Sequence, residues 1–254
     1  ESLLADRAEQ IDLFIAASDY YADIAAERFR LPRDRIRVVP NGLDVAEYPR
    51  ANPPTPPVVG FLSRMHEDKG LDLLAEALIA LKAEPELRDV RAVIAGGQTV
   101  DDRPYVTQVR HRLAEAGIAD HVTFLPNLEH DRRLEFLASL SVMALPMRRG
   151  PAGAMAALEA MAAGVPVVAA EHGAFVNVLS ESGAGLLHEP DHVEDLAAKL
   201  RTVLSDADAA ATMAANGREA AKRDHDLPAI AERLAACYAS LLDRASRDAA
   251  QGTT

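Results

Sequence analysis

The sequence predicts an α/β fold, a doubly wound parallel sheet with helices on both faces. From about residue 57 to 225, short and almost continuously apolar segments typical of strands alternate with segments of helical periodicity. Strands that are apolar throughout are buried on both faces, as in parallel sheets. Right-handed crossovers then give a Rossmann-like domain, and we expect its ligand at the carboxyl edge of the strands.

The first 50 residues predict a strand–helix–strand unit that does not continue this alternation. Ser18 is a good N-cap for the helix, which Leu31-Pro32 would end. Pro40-Asn41-Gly42 is a strong turn signal. We expect a buried strand at 11–17, a helix from Ser18 to about Arg30, a strand at 36–39 and a turn at 40–42.

A proline-rich segment follows. Residues 51–57 hold four prolines, which exclude helix and central strand and favour a stiff linker. Beyond it, the expected strands span 58–62, 90–95, 122–125, 141–145, 165–169 and 185–187. The expected helices span 70–81, 105–116, 131–139 with Asp131 as the cap, an Ala-rich segment ending at Gly164, 191–204, 206–223 and 227–244.

Composition excludes several classes of protein. The 254 residues carry a net charge of −12, which argues against nucleic-acid binding, because affinity for the phosphate backbone needs clustered Lys and Arg. The single cysteine, Cys237, rules out an intrachain disulfide and fits a reducing compartment. No apolar run approaches the ~20 residues that span a bilayer, and the chain does not start as a signal peptide does. We expect a cytoplasmic protein and, since the initiator Met is missing, a processed or excised piece.

Two basic residues follow the first strand of the alternating region. Arg64 and Lys69 stand in the segment 63–70, after a strand and at the opening of a helix. Both could converge on one anion, Arg64 through its bidentate guanidinium and Lys69 as a compact charge. The alternative is a solvated loop in which Glu67 and Asp68 pair with these bases.

A second motif lies downstream. Residues 158–168 predict a helix of small residues, which carries the carboxylate of Glu159, ends at Gly164 and is followed by a β-branched strand. A glycine-containing loop, 148–153, precedes this helix. A loop that opens onto a helix N-terminus presents N–H groups and the positive end of the helix dipole, which together favour an anion.

Together these motifs resemble the donor half of retaining glycosyltransferases of family 4, whose GT-B fold sets two Rossmann-like domains across a cleft. Arg64 and Lys69 match the family's Arg-x4-Lys-Gly, and Glu159 matches the second glutamate of its Glu-x7-Glu motif. Residues 40–44 resemble the Asn-Gly-Val-Asp segment at the crossover between the domains. The resemblance covers nearly the whole chain and implies the end of an N-terminal domain with the crossover at 1–50, the linker at 51–57, a nucleotide-sugar-binding domain at 58–225 and a C-terminal helix and tail at 226–254.

The resemblance implies a role for each matching residue. Arg64 and Lys69 would hold the donor's diphosphate and, as the catalytic residues, neutralise the charge on the departing nucleotide. Glu159 would accept hydrogen bonds from the ribose hydroxyls. The other donor-binding residues are Gly153 and Ala154, through N–H groups near them, Gly96, which permits close approach of the ligand, and Phe124 and Leu125, in the strand beside the base.

The same resemblance implies the ligands. The donor would be a UDP- or GDP-sugar, and no cofactor or metal ion would be needed. The eight histidines form no metal-binding pattern, and neither a P-loop nor a serine nucleophile elbow is present. The acceptor, a sugar, lipid or glycan, would bind mainly to the missing N-terminal half, through which alone the protein would meet a membrane.

The sequence departs from the family pattern at the first glutamate of the Glu-x7-Glu motif, where Pro151 stands, and again where Asn177 replaces a glutamate. One interpretation is that the sugar is held differently, as an anionic sugar that meets Arg148 or Arg149. The other is that catalysis has been lost. Two rival functions follow: a non-catalytic nucleotide-sugar-binding module and a GT-B nucleotide-sugar epimerase. In the glycosyltransferase interpretation, the isolated chain would be inactive without the N-terminal domain.

Overall fold

The structure, a computed structural model, describes residues 7–149 and 154–251. The chain forms two compact units. One comprises the residues up to Asp44 together with those from Arg223 onward, and the other comprises Val45–Lys222.

In the first unit, a helix connects two short parallel strands. Strand β1 (Phe14–Ala16) pairs with β2 (Ile36–Val38), and α1 (Asp19–Phe29) lies between them in the chain. Ser18 caps α1 as predicted, because its hydroxyl oxygen accepts a hydrogen bond from the Tyr21 N–H at 3.3 Å. A small apolar cluster, formed by Ala8, Ala16, Ala22, Leu31 and Ile36, packs the unit.

Two predictions for this unit are wrong. The first strand has three residues rather than seven, and it is not buried throughout, since its alternation directs Ile15 outward with 45% of its surface exposed. Residues 40–42 form no turn. Leu43 instead makes a parallel bridge with Asp226, and an added Cβ at Gly42 would lie 2.9 Å from Ile230 Cγ1 in the last helix. Gly42 is therefore needed for close packing.

The second unit is the doubly wound domain that the sequence predicts. Its strands are β3 (Val58–Leu62), β4 (Arg91–Gly96), β5 (Val122–Pro126), β6 (Val142–Leu145), β7 (Val167–Ala170) and β8 (Gly185–His188). The helices are α2 (Leu71–Lys82), α3 (Arg103–Glu115), α4 (His130–Ala138), α5 (Met155–Ala163), α6 (Ala174–Ser182), α7 (Val193–Ser205) and α8 (Ala207–Asp224), and α9 (Leu227–Gln251) follows.

The six strands are parallel and lie in the order β5-β4-β3-β6-β7-β8. The chain builds outward from β3 to β5, returns to the other side of β3, and builds outward again from β6 to β8. The strand order therefore reverses between β3 and β6. Open α/β sheets bind their ligands at the carboxyl ends of the strands beside such a reversal.

Burial follows the predicted pattern. Side chains of β3 such as Val59 and Phe61 enter a large apolar cluster with residues of α2, α3 and α7. In α5, every residue from Ala157 to Ala163 is buried. The small side chains of that helix allow this close packing, as its composition predicts.

Two helices differ from expectation. Helix α4 begins after Glu129, so Asp131 lies within the first turn and does not cap it. Helix α6 is absent from the expected elements, because its valines favour a strand pattern. Glycines bound the helix, with Gly173 before it and Gly183 after it. Gly183 adopts the left-handed conformation that commonly ends a helix.

Residues 51–57 form neither helix nor strand, as their four prolines predict. The segment is tied to the second unit by its first residues. The Ala51 N–H donates to the Ala163 carbonyl at 2.7 Å, and the Asn52 N–H donates to the Ala138 carbonyl at 3.1 Å. Across the part of the chain that the structure describes, no helix combines the length and the apolarity needed to cross a bilayer.

Candidate functional site

A cleft of about 170 Å³ opens at the carboxyl ends of β3 and β6, where the strand order reverses. We call it the switch-point cleft. Most of its wall is apolar, and Lys69 brings a charge to it. Its lining residues are Phe61, Leu62, Ser63, Lys69, Leu145, Met147, Ala154, Met155, Ala156 and Phe175.

Lys69 lies in a 3₁₀ turn, Glu67–Lys69, between β3 and α2. Burial lowers the pKa of its ammonium, and the nearby carboxylate of Asp68 partly offsets this effect. The Lys69 Nζ lies 3.8 Å from Met147 Sδ. Within residues 7–149 and 154–251, no carboxylate forms an ion pair with Lys69. A partly desolvated ammonium of this kind gains stability when an anion binds beside it.

Two glycines bring the loops of the cleft together. Gly70 follows Lys69 with φ +70°, and an added Cβ would lie 1.9 Å from the Pro146 carbonyl oxygen. Gly96 ends β4 with φ +132°, and an added Cβ would lie 1.8 Å from the Ser63 carbonyl oxygen. No other residue fits either position, so each glycine fixes a close approach of neighbouring loops.

The first residues of α5 form one side of the cleft. Ala154 is the N-cap of α5 and adopts the left-handed conformation with φ 55°. Its methyl side chain cannot accept a hydrogen bond from the first turn of the helix. The N–H groups of a first helical turn have no partner within the helix, so they are available to an anion. Gly153 and Pro151, on which two of the sequence hypotheses depend, lie outside the described residues.

Arg64 is held by the carboxylate of Asp102, which no sequence motif predicts. Arg64 Nε donates to both oxygens of Asp102 at 3.2 Å, and Nη2 donates to Oδ1 at 3.0 Å. The Arg64 side chain is 51% exposed, whereas that of Asp102 is 1% exposed. The buried carboxylate of Asp102 therefore fixes the orientation of the Arg64 guanidinium, while about half of the Arg64 side chain is exposed to solvent.

Asp102 stays ionised despite its burial. Burial would raise the pKa of this carboxyl, but hydrogen bonds from Arg64 and from the backbone N–H and hydroxyl of Thr99 outweigh it and lower the pKa to about 2. The alternative interpretation, in which Glu67 and Asp68 form ion pairs with the two bases, is not seen among the described residues. Asp102 precedes α3 by one residue, and a helix-capping signal was the only feature of the sequence that could have identified it.

Glu159 is buried in α5 and faces α4. Its Oε1 lies 3.1 Å from Arg133 Nη1, and only 10% of the Glu159 side chain is exposed. Burial raises the pKa of Glu159, while the charge and hydrogen bond of Arg133 act in the opposite direction. Burial and the carboxylate of Glu159 raise the pKa of the nearby Tyr48 to about 12.

The strand β5 contributes less to the cleft than expected. The Phe124 ring packs against the large apolar cluster, and Arg110 lies over it with its guanidinium carbon 3.8 Å from the ring centroid. Neither Phe124 nor Leu125 lines the switch-point cleft. Asn127 instead extends the edge beyond β5, because its side-chain amide accepts from the Gln98 N–H at 2.9 Å and donates to the Gln98 carbonyl at 3.2 Å.

Arg148 is paired with carboxylates. Its guanidinium forms ion pairs with Asp72 and Asp191, both at 2.5 Å, and its side chain is only 15% exposed. These contacts argue against the hypothesis that Arg148 meets an anionic sugar, which stays a prediction. Arg149 is exposed, and its backbone N–H donates to the Asp68 carbonyl at 3.2 Å.

The structure does not bring all the predicted residues that it describes into one cleft. Lys69 and Ala154 line one cleft, and Gly96 packs against its Ser63. Arg64 follows Ser63 at the rim. Glu159 lies just over one helical turn beyond Ala154 and faces α4. Within the described ranges, no three or more His, Cys, Asp or Glu side chains are grouped to hold a metal ion.

Comparison with known proteins places this architecture in a family. The sequence model described as Glycosyl transferases group 1 matches residues 46–220. The chain is 30% identical over 209 residues to D-inositol 3-phosphate glycosyltransferase of Nocardia farcinica (strain IFM 10152), which covers 78% of this chain and 46% of that protein. It is also 30% identical over 222 residues to the lipopolysaccharide core biosynthesis mannosyltransferase LpsB of Rhizobium meliloti (strain 1021), which covers 86% of this chain and 59% of that protein.

A solved structure agrees. Anabaena Alr3699/HepE in complex with UDP matches with a TM-score of 0.79 and 26% identity, over 90% of this chain and 64% of that one. The chain spans about half the length of the curated relatives it matches. By sequence and by its Rossmann-like GT-B fold, the chain belongs to the glycosyl transferases group 1 family.

Proposed function

We propose that this chain supplies the donor-binding domain of a retaining glycosyltransferase of family 4 and holds a nucleoside diphosphate sugar in the switch-point cleft. The observation that carries the proposal is Lys69. Its ammonium is partly desolvated, has no carboxylate partner among the described residues, and shares the cleft with the first turn of α5. A diphosphate would satisfy both groups at once.

Arg64 is suited to the same anion. Asp102 occupies its Nε and Nη2, so the guanidinium is held in one orientation before any ligand arrives. A pre-oriented guanidinium loses less conformational entropy on binding than a mobile one. Arg64 and Lys69 would neutralise the charge that develops on the departing nucleoside diphosphate, without the metal ion that other enzymes use for this purpose.

The remaining donor contacts are proposed from the family resemblance. Glu159 would accept hydrogen bonds from the ribose hydroxyls, and N–H groups near Gly153 and Ala154 would bind phosphate or sugar oxygens. The base would lie near the edge formed by Gly96, Phe124, Leu125 and Asn127. A UDP- or GDP-sugar is supported by the similar proteins, since one matched structure is a complex with UDP and one curated relative is named a GDP-mannose-dependent mannosyltransferase.

The acceptor is proposed to bind elsewhere in the complete protein. Because the chain spans about half the length of its relatives, the opposite wall of a GT-B cleft would come from residues outside this sequence. A retaining reaction in which the acceptor attacks on the face that the nucleotide leaves needs no protein nucleophile.

Calorimetric titration of UDP and GDP into the chain tests the proposal. At least one should bind equally well with Mg²⁺ and with EDTA. Lys69→Ala and Arg64→Ala should each weaken binding by about tenfold to a hundredfold, the loss of a charged phosphate partner being about 1.5–3 kcal/mol. Lys199→Ala, which removes an ammonium paired with Asp195 on α7, should leave the affinity unchanged. Unchanged affinity in both site variants, or a strict need for Mg²⁺, would rule out this anion site.

A further inference from the structure

Arg148 lies at the centre of a hydrogen-bonded cluster that joins three segments at the carboxyl edge of the sheet. Its Nη1 and Nη2 donate to the two carboxylate oxygens of Asp72 at 2.5 and 2.7 Å, and its Nε donates to Asp191 Oδ1 at 2.5 Å. Nη1 also donates to the Glu67 carbonyl at 3.2 Å. All three guanidinium nitrogens are therefore engaged, and little is left to bind a ligand.

Asp72 is anchored on its other side as well. The Tyr105 hydroxyl, in α3, donates to Asp72 Oδ1 at 2.6 Å and accepts from the Asp72 N–H at 3.0 Å. Burial would raise the pKa of Asp72, but the hydrogen bonds from Arg148 and Tyr105 outweigh it and hold that pKa below its usual range. The carboxylate stays ionised and keeps its bidentate contact with Arg148.

This cluster adjoins residues that line the switch-point cleft. Asp72 follows Lys69 by three residues in the first turn of α2, and Arg148 follows Met147, whose Sδ contacts the Lys69 Nζ at 3.8 Å. The Arg148 N–H donates to the Asp68 carbonyl at 2.9 Å, which adds a backbone tie between the same two segments. The distance between Lys69 and Met147 therefore depends on the Arg148–Asp72 pair.

We propose that Arg148 is a positioning residue, which through Asp72 and Asp191 holds Lys69 and the adjoining segment 146–149 in the geometry that binds the diphosphate. The proposal rests on the proposed function. A bidentate Arg–carboxylate pair fixes direction as well as distance, which a single ion pair with Lys would not do. We assign Arg148 a positioning role rather than a ligand-binding role, because its positive charge is already balanced by the carboxylates of Asp72 and Asp191.

The test uses a difference in sign. If Asp72 acted only through its negative charge, removing that charge would strengthen the binding of a nearby anion. If Asp72 acts by holding Arg148, Asp72→Asn should weaken UDP or GDP binding, about tenfold, as should Arg148→Gln. The double variant should bind no more weakly than the weaker single variant, and Arg148→Lys should not restore the affinity.

Arg112→Gln is the matched control. Arg112 forms a similar bidentate pair with Glu76 between α3 and α2, at 2.5 and 2.9 Å, but it is not among the residues that line the switch-point cleft. Arg112→Gln should leave the affinity for UDP and GDP unchanged. If Asp72→Asn does not fold, Asp191→Asn, whose carboxylate is 62% exposed, should weaken binding in the same direction but by less.

A second readout needs no ligand, so it separates this proposal from the proposed function. Lysine side chains are ¹³C-methylated, and the signal that Lys69→Ala removes is followed by NMR against pH. Loss of positioning should raise the pKa of Lys69 toward its ordinary value in Asp72→Asn, whereas loss of the Asp72 charge alone would lower it. In Arg148→Gln, loss of positioning and loss of the Arg148 charge both raise that pKa, so Asp72→Asn is the deciding variant.

The outcomes divide clearly. Tighter or unchanged binding in Asp72→Asn, with weaker binding in Arg148→Gln, would mean that Arg148 contacts the ligand itself and would overturn the proposal. An unchanged Lys69 titration in both variants would also overturn it. If Lys69 responds as expected while Lys69→Ala binds UDP and GDP normally, the proposed diphosphate site is wrong although Arg148 does position Lys69.

Discussion

Asp102 and Arg64 form the most unequal ion pair of the site, since the carboxylate is almost completely buried and the guanidinium is half exposed. A buried carboxylate is costly unless donors surround it. Here Arg64 Nε and Nη2 and the N–H and hydroxyl of Thr99 meet that need. The arrangement fixes the orientation of the Arg64 guanidinium and leaves half of the Arg64 side chain exposed.

Asp102→Asn should show how far this pair contributes to stability. The pKa of Asp102 is lowered from 3.8 to about 2, so the pair stabilises the fold above pH 4 and loses this effect as the pH falls toward 2. The variant should unfold more easily by about 1–3 kcal/mol at neutral pH, and the difference should shrink below pH 4. Urea unfolding at a series of pH values measures it. The exposed neighbour Asp101 provides the control, Asp101→Asn, and an equal, pH-independent loss in both variants would contradict the interpretation.

Glu159→Gln tests the ribose contact at the same scale. UDP and pyrophosphate would both use Arg64 and Lys69, but only UDP brings a ribose diol. The variant should therefore lose more affinity for UDP than for pyrophosphate, about tenfold against little change. Glu135→Gln, which alters an exposed glutamate paired with Arg132 on α4, should change neither. Equal losses for both ligands would make Glu159 a structural partner of Arg133 and no more.

At the scale of elements, the loop between β3 and α2 depends on one glycine. Gly70 ends the 3₁₀ turn that carries Lys69 and begins α2, and its backbone packs on the Pro146 carbonyl. Gly117 has the same φ of +70° but no atom within 4 Å of an added Cβ. The two positions therefore separate backbone strain from steric exclusion.

Gly117→Ala should cost about 1–2 kcal/mol, which is the strain of a left-handed residue with a side chain. Gly70→Ala adds displacement of the Pro146 loop, a further cost of about 1–3 kcal/mol, and should also weaken UDP binding because Lys69 moves. Chemical denaturation and calorimetry measure both effects. Equal destabilisation of the two variants, with UDP affinity retained in Gly70→Ala, would show that the loop adapts without moving Lys69.

At the scale of the molecule, the two units differ in size and in the sheets they contain. The six-stranded sheet carries the cleft, whereas the first unit holds two strands of three residues each. A two-stranded sheet is marginal in isolation, so its stability depends on its packing against α1 and the small apolar cluster.

We expect this chain alone to bind donor but not to transfer sugar. Acceptor orientation accounts for about 7–11 kcal/mol of a bimolecular barrier, and in our proposal that orientation comes from residues outside this sequence. The measurement compares sugar transfer by this chain with transfer by a protein that also contains an N-terminal GT-B domain from the same gene. Transfer by the isolated chain would refute the two-domain proposal. A longer protein that binds donor but stays inert over a broad acceptor panel would support the rival function, a binding module.

The sequence by itself determined the layered architecture. Continuously apolar strands such as β3 and β7 can be buried only in a sheet covered on both faces, and Gly164 ends α5 where its left-handed φ of 71° requires glycine. The same local reasoning placed Arg64 and Lys69 after a strand and before a helix. It failed for α6 and for residues 40–42, because valines and a Pro-Asn-Gly triplet have local preferences that packing overrides.

The tertiary structure alone decided which charges meet. Arg64 pairs with Asp102, 38 residues away, rather than with Glu67 or Asp68 beside it, and Arg148 pairs with Asp72, 76 residues away. Parallel strands bring loops that are distant in the chain to one edge of the sheet, so each ion pair depends on strand order and loop path. Local spacing contains neither, and for that reason the residues that hold Arg64 and Lys69 in place became visible only in the folded chain.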